Sequence, residues 1–192
     1  MRSEELYPMR TDAVQIKGLQ DLIEYLKTNL GDLKSKTMIE IGSYAGESSV
    51  MFAQHFGTVI CIDPFIDDYD PNDLINGFAT MDIVEKKFDE NTKDFYNIQK
   101  FKMTSDEAIA HFLKINEYPK TEFSFVYIDA LHTYEQVKKD IENYTPIIVD
   151  GGFIGGHDYH PNHPEVMRAI DEKLISVDAS FVDGSFVKQI KN

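Results

Sequence analysis

The sequence predicts an α/β fold with a mostly parallel sheet covered by helices on both faces. Three observations carry this. Apolar runs of strand length alternate with helical stripes along most of the chain. The run Phe123–Ile128 is almost continuously apolar, as a strand covered on both faces must be. Strand, glycine turn, helix, strand and acid follow one another over residues 37–63, the order in which a Rossmann-like sheet holds an adenosine-containing ligand. Alternation of this kind means parallel strands joined by right-handed crossovers.

The elements can be justified in order. Residues 1–10 read as irregular, and an N-terminal arm is expected over 1–15. Leu19, Leu22, Ile23, Leu26 and Leu30 make a stripe at helical spacing, stopped at Gly31. Met38–Ile41 is the first strand. Val50, Phe52, Ala53 and Phe56 line a helix that opens near Ser48 and stops at Gly57, and Val59–Ile62 is the second strand. Residues 65–80 are acidic and broken by Pro71 and Gly77, so they read as a loop and a candidate lid. Val84, Phe88 and Phe95 mark a helix. A short strand over 98–103 leads to Ser105 or Asp106, either of which could cap a helix carrying Ile109, Phe112 and Leu113.

After Phe123–Ile128, Thr133 and Gln136 form a capping box for a helix with Val137, Ile141 and Tyr144 inward. Glu135 with Lys139, and Lys138 with Glu142, are spaced as pairs on its outer face. Ile147–Ile154 is a strand with Gly151-Gly152 inside it, and a helix follows Pro164. Residues 180–191 read as a hairpin around Asp183-Gly184. The whole, 1–192, is expected to be one domain.

Composition narrows the function classes. The chain has 192 residues and a net charge of −14. That disfavours nucleic acid, which needs clustered Lys and Arg, and an anionic membrane surface. The single cysteine, Cys61, lies in an apolar strand, so no disulfide forms within the chain and a reducing, cytoplasmic setting is expected. A small-molecule substrate is the partner that remains; the oligomeric state is open.

The ligand is a question about glycines. A dinucleotide needs G-x-G-x-x-G so that pyrophosphate can sit on bare backbone. Here Tyr44 stands where the middle glycine would be, so an NAD enzyme is the weaker alternative. The run is Glu40-x-Gly42-x-x-x-Gly46, and it resembles motif I of the class I methyltransferases, which bind S-adenosylmethionine. Glu40 is chemically sensible beside that ligand's ammonium and sulfonium, and Asp63 can accept both ribose hydroxyls. The expected cofactor site is Glu40, Gly42, Ser43, Tyr44, Gly46 and Ser48 of the turn and helix start, Asp63, Asp129, and Ser105 and Asp106 near the adenine.

A second constellation lies further along. Asp129 ends the Phe123–Ile128 strand, His132 follows at a helix start, and Gly151-Gly-Phe-Ile-Gly-Gly-His157-Asp158 ends the next strand. Adjacent strand ends would gather Asp129, His132, His157 and Asp158 in one crevice; Asp129 alone could instead cap the helix after it. His55 and His111 read as structural residues within helices, and His160 and His163 as loop residues beside prolines.

Residues 37–160, through Ile128-Asp-Ala-Leu-His-Thr-Tyr-Glu and Gly151-Gly-x-x-Gly-Gly-His-Asp-Tyr159, resemble the group that includes macrocin-type sugar O-methyltransferases and cephalosporin-biosynthesis enzymes. The resemblance implies the strand order 3-2-1-4-5-7-6. It implies O-methylation of a small-molecule hydroxyl, a divalent metal (magnesium or manganese) on Asp129, His157 and Asp158, and catalysis by His132 as base together with Asp129. The family carries an acidic pair where this chain has His157-Asp158. Magnesium favours oxygen ligands, so the imidazole shifts the preference toward manganese, iron or zinc, or leaves the site without metal. A non-catalytic adenosyl- or metal-binding module is the other alternative.

Overall fold

The apolar runs do become the strands of one sheet. A computed structural model describes residues 12–69, 79–114 and 123–191. In chain order its elements are α1 (Ala13–Leu30), β1 (Thr37–Ile41), α2 (Glu47–Ala53), β2 (Thr58–Ile62), α3 (Met81–Thr92), β3 (Ile98–Phe101), α4 (Ser105–Lys114), β4 (Phe123–Ile128), α5 (Tyr134–Tyr144), β5 (Ile148–Gly156), α6 (Pro164–Leu174), β6 (Ala179–Ser180) and β7 (Phe186–Gln189). Among the described residues the sheet has seven strands in the order β3-β2-β1-β4-β5-β7-β6. β1 to β5 pair in parallel, and β7 runs antiparallel to β5 and β6. This is the expected fold class and the expected strand order.

Strand alternation divides the core in two. Ile39, Ile41, Ile60, Ile62, Val126 and Ile154 point to the face covered by α4, α5 and α6. Met38, Val59, Cys61, Phe125, Tyr127 and Phe153 point to the face covered by α1, α2 and α3. Fully burying one such side chain stabilises by about 1.5–3 kcal/mol, so each helix is held by its apolar stripe more than by propensity. No helix among the described residues is long and apolar enough to cross a membrane.

Several local expectations change. α1 begins at Ala13, capped by Asp12, whose carboxylate accepts from the Val14 and Gln15 amides at 2.9 Å. Residues 13–15 of the expected arm are therefore helical and Asp12 caps them, while residues 1–11 lie outside the described residues, as do residues 70–78 of the expected lid. Phe95 falls beyond the end of α3. α4 is capped one residue earlier than expected. Thr104 Oγ1 accepts from the Glu107 amide at 3.2 Å and the Glu107 carboxylate accepts from the Thr104 amide at 2.9 Å, a reciprocal box that neither Ser105 nor Asp106 makes. Leu113 on that helix stays exposed.

Thr133 caps α5 by accepting from the Gln136 amide at 3.4 Å, so Asp129 is not needed as a cap. Gln136 does not complete the box; its amide nitrogen reaches Ser105 Oγ and Asp140, each at 3.1 Å. The outer charges of α5 tie helices together where pairs along the helix were expected. Lys139 meets Asp106 of α4 at 2.6 Å, Lys138 meets Glu172 of α6 at 3.4 Å, and Glu142 meets Lys173. His55 sits in the turn after α2 and not within a helix.

Candidate active site

The site follows from strand register. Ile41 pairs with Ile62 on one side and Ile128 on the other, and Ile128 pairs with Gly156. The next residues on these four strands, Asp63, Gly42, Asp129 and His157, therefore emerge side by side at the carboxyl edge. Backbone bonds hold the row: the Gly42 amide donates to Ile62 O at 2.8 Å, Asp129 to Ile41 O at 2.8 Å, and His157 to Ile128 O at 3.1 Å. Carboxyl edges are where open α/β sheets bind ligands.

The turn after β1 is a sharp reversal. Gly42, Tyr44 and Gly46 have φ of 86°, 44° and 80°. Asp63 fixes it. Its carboxylate accepts from the Tyr44 amide at 2.9 Å and the Phe65 amide at 2.8 Å. Burial raises its pKa, against the pull of these backbone bonds. Glu40 takes a different place from the one expected. Strand alternation turns it beneath α2, where it is 0% exposed and accepts from the Ser48 and Ser49 hydroxyls. It and Ser48 anchor the helix start to β1, leaving Glu40 no surface for a ligand's cations. Ser43 is also buried.

Ser105 and Asp106 stand at the start of α4, with Ser105 bonded by Gln136 and Asp106 by Lys139. Tyr69, from the start of the expected lid, comes close to this corner. Burial raises its hydroxyl, and the charges of Asp140 and Asp106 raise it further.

Asp140 is 1% exposed, and burial pushes its carboxyl from 3.8 to about 6, despite bonds from Ser105 and Gln136 that lower it. A raised acid keeps its proton in the folded chain after the unfolded chain has lost it. Stability is then full below about pH 4, falls as pH rises to about 6, and stays lower by about 3 kcal/mol above that. Asp140→Asn is expected to be more stable than wild type by roughly 1–3 kcal/mol near neutral pH and indistinguishable below about pH 4. Urea unfolding across that range checks this, and parallel curves would refute it.

At the other end of the row the four residues of the second constellation do meet. The His132 Nε2 and Asp158 Oδ2 atoms lie 2.7 Å apart, His157 Nδ1 is 3.0 Å from Asp158 Oδ1, and His157 Nδ1 is 3.9 Å from Asp129 Oδ1. A shallow hollow runs between them, floored by Val137, Ile141 and Phe186. Burial alone would raise the Asp158 carboxyl; the bonds from His132 and His157 outweigh it and hold the group well below the carboxylate range. Asp158 takes a left-handed φ of 62°, a conformation costing a non-glycine residue on the order of 1–3 kcal/mol. Asp129, His157 and Asp158 each offer a ligand atom within 4.8 Å of the others. Two carboxylates and an imidazole at that spacing fit a divalent cation.

Two residues at this site were not anticipated. His163, fixed at the start of α6 ahead of Pro164, puts Nε2 3.5 Å from Asp158 Oδ1, its ring centred 5.4 Å from that of His132. Asp183, in the β6–β7 turn, has a fully buried carboxylate 4.0 Å from His157 Nε2. It reaches there because α1 carries Gly18 opposite, where a Cβ would lie 2.1 Å from the Asp183 carboxyl. The signal for His163 was a histidine locked before a helix-starting proline; Asp183 had none beyond its turn.

Residues 39–159 match the family described as a methyltransferase domain. The chain belongs to that family. It is an S-adenosylmethionine-dependent methyltransferase. Curated protein sequences gave no match. Solved structures share the fold at low identity. CalS11, a TDP-rhamnose 3'-O-methyltransferase of calicheamicin biosynthesis, is 15% identical with a TM-score of 0.65, over 94% of this chain and 82% of that one. Cofactor-bound Rv0187 from MTB is 15% identical at 0.64, over 98% and 85%. The N-methyltransferase NodS from Bradyrhizobium japonicum is 13% identical at 0.61, over 96% and 100%. Because O- and N-methyltransferases are both among these, the fold does not choose the acceptor atom of the present methyltransferase.

Proposed function

We propose that this methyltransferase moves the methyl group of S-adenosylmethionine to the oxygen of a small-molecule hydroxyl, with help from a divalent metal. The observation that carries the reading is the single row at the sheet edge: a glycine turn braced by Asp63 at one end, and Asp129, His132, His157 and Asp158 at the other. The first half suits an adenosyl ligand. Gly42, Ser43, Tyr44 and Gly46 form its wall, Asp63 accepts ribose hydroxyls, Ser105 and Asp106 edge the adenine, and Asp129 stands between cofactor and acceptor.

The second half suits a hydroxyl acceptor. A neutral amine carries its own lone pair, whereas a hydroxyl must lose a proton as its oxygen is methylated. Asp129, His157 and Asp158 would hold the ion, magnesium or manganese, which when bound lowers the pKa of the acceptor hydroxyl. His132 takes the proton. With Asp158 ionised, its Oδ2 would accept from His132 Nε2–H, which orients the ring and would leave proton exchange to Nδ1. Asp158 thus orients the base with one oxygen and faces His157 with the other.

The test has two arms. Calorimetry with S-adenosylmethionine should show Asp63→Ala binding more weakly by roughly 1–3 kcal/mol, and equal affinities would remove Asp63 from the site. Turnover on a panel of hydroxyl acceptors should collapse in excess chelator and return with metal; full rate in chelator would end the metal part of the reading.

A further inference from the structure

Among the described residues, Asp158 belongs to two candidate ligand groups. One is Asp129, His157 and Asp158; the other is His132, Asp158 and His163, whose ligand atoms also lie within 4.8 Å of one another. We propose that the second group is a metal site of its own, selective for borderline transition ions such as Zn2+ or Co2+, and that filling it shuts the enzyme off. The inference rests on the reading of His132 as base.

The donors set the selectivity. Two imidazoles and one carboxylate suit zinc, cobalt or iron, and suit magnesium poorly. Ligand bonds of about 2.0–2.1 Å place adjacent donor atoms roughly 3 Å apart. The observed separations are 2.7 Å from Asp158 Oδ2 to His132 Nε2 and 3.5 Å from Asp158 Oδ1 to His163 Nε2. His163 is held in place. Its amide donates to His160 O at 2.8 Å, its carbonyl accepts from the Met167 amide at 3.0 Å, and Pro164 follows it in the first turn of α6. Its side chain is 40% exposed against 24% for His132 and 13% for Asp158, so the trio opens to solvent on the His163 side and an ion has a path in.

The two sites can fill together. Asp158 has Oδ2 toward His132 and Oδ1 toward His157 and His163, so bridging would give Oδ1 to the ion on His157 and Oδ2 to the ion on His132, as carboxylates do in two-metal centres. The second dication enters against the charge of the first and binds more weakly. Its consequence is chemical. With an ion on Nε2 the imidazole's remaining proton sits on Nδ1, and that nitrogen can no longer take one from the acceptor. Low concentrations of a transition metal then activate, and higher concentrations inhibit.

The test uses the chelator-stripped full chain, and its binding arm needs no acceptor. Titration with Co2+, followed by calorimetry and by the visible absorption of the ion, should show a tighter and a weaker event, two ions per chain, where Mg2+ shows at most one. His163→Ala should lose the weaker event and keep the tighter, and His163→Gln, which preserves a polar side chain at the helix start, should do the same. In wild type the fall in turnover at high Co2+ should track filling of the weaker site. One Co2+ per chain, or a His163→Ala titration identical to wild type, overturns the proposal while leaving the first metal site standing. Failure of Co2+ to bind at all would sink both.

Discussion

His132→Ala is expected to lower turnover by about 10²–10⁴-fold, the range for loss of a general base, while leaving S-adenosylmethionine and the tighter metal ion bound. The expectation rests on the Asp158–His132 contact of 2.7 Å, which positions one imidazole at the lip of a hollow lined by Asp129 and His157. The assay belongs in magnesium, where the second metal group stays empty and the ring is judged as a base alone. Steady-state kinetics should place the loss in kcat, with KM for the cofactor little changed. A further readout separates a base from a merely structural histidine: an acceptor whose hydroxyl is already acidic, such as a nitrophenol, should lose much less on His132→Ala than an aliphatic alcohol does. Equal losses on both acceptors would make His132 a positioning residue.

The framework of this site was legible because strands and helices have fixed periods. The run Phe123–Ile128 is buried at every position, and an acid or histidine just past such a run must emerge at the sheet edge. Asp63, Asp129 and His157 were therefore placed correctly by counting. The same rule explains where Glu40 lies. Glu40 lies inside β1, two residues from Met38, so alternation sends it to the face that α2 covers. Its place in the Met38–Ile41 strand was legible, and its burial beneath α2 is what the expected ligand contact left out.

Periodicity says nothing about where an irregular segment travels. Residues 157–163 reverse through the left-handed Asp158, and His163 comes back to within 5.4 Å of the His132 ring. Charge partners escaped for a related reason. Spacing along α5 offered pairs within the helix, but Asp106, Glu172 and Lys173 on neighbouring helices lie within reach of the same side chains. Such partners are set by how helices pack, which a single stretch of sequence does not contain.

Gly42→Ala is expected to cost roughly 2–6 kcal/mol of stability, and the reason lies in the sheet as much as in the cofactor. Gly42 has φ of 86°, and a Cβ there would sit 1.9 Å from the carbonyl oxygen of Asp129. That neighbour is backbone, at the point where β4 leaves the sheet, and it cannot turn aside as a side chain could. The strained dihedral accounts for about 1–3 kcal/mol, and forcing a methyl group into a packed contact for about 1–3 kcal/mol more. The two penalties act together, because relieving the clash means separating the turn after β1 from the end of β4. That separation would also pull Asp129 out of its row with Gly42 and His157, so whatever folds should bind both cofactor and metal poorly. Urea unfolding measures the first effect. If Gly42→Ala unfolds within about 1 kcal/mol of wild type, the close approach of the two strand ends is not what fixes this edge of the sheet. Where the variant is destabilised, a saturating ligand separates a damaged fold from a damaged pocket: the first recovers with ligand by mass action, the second does not.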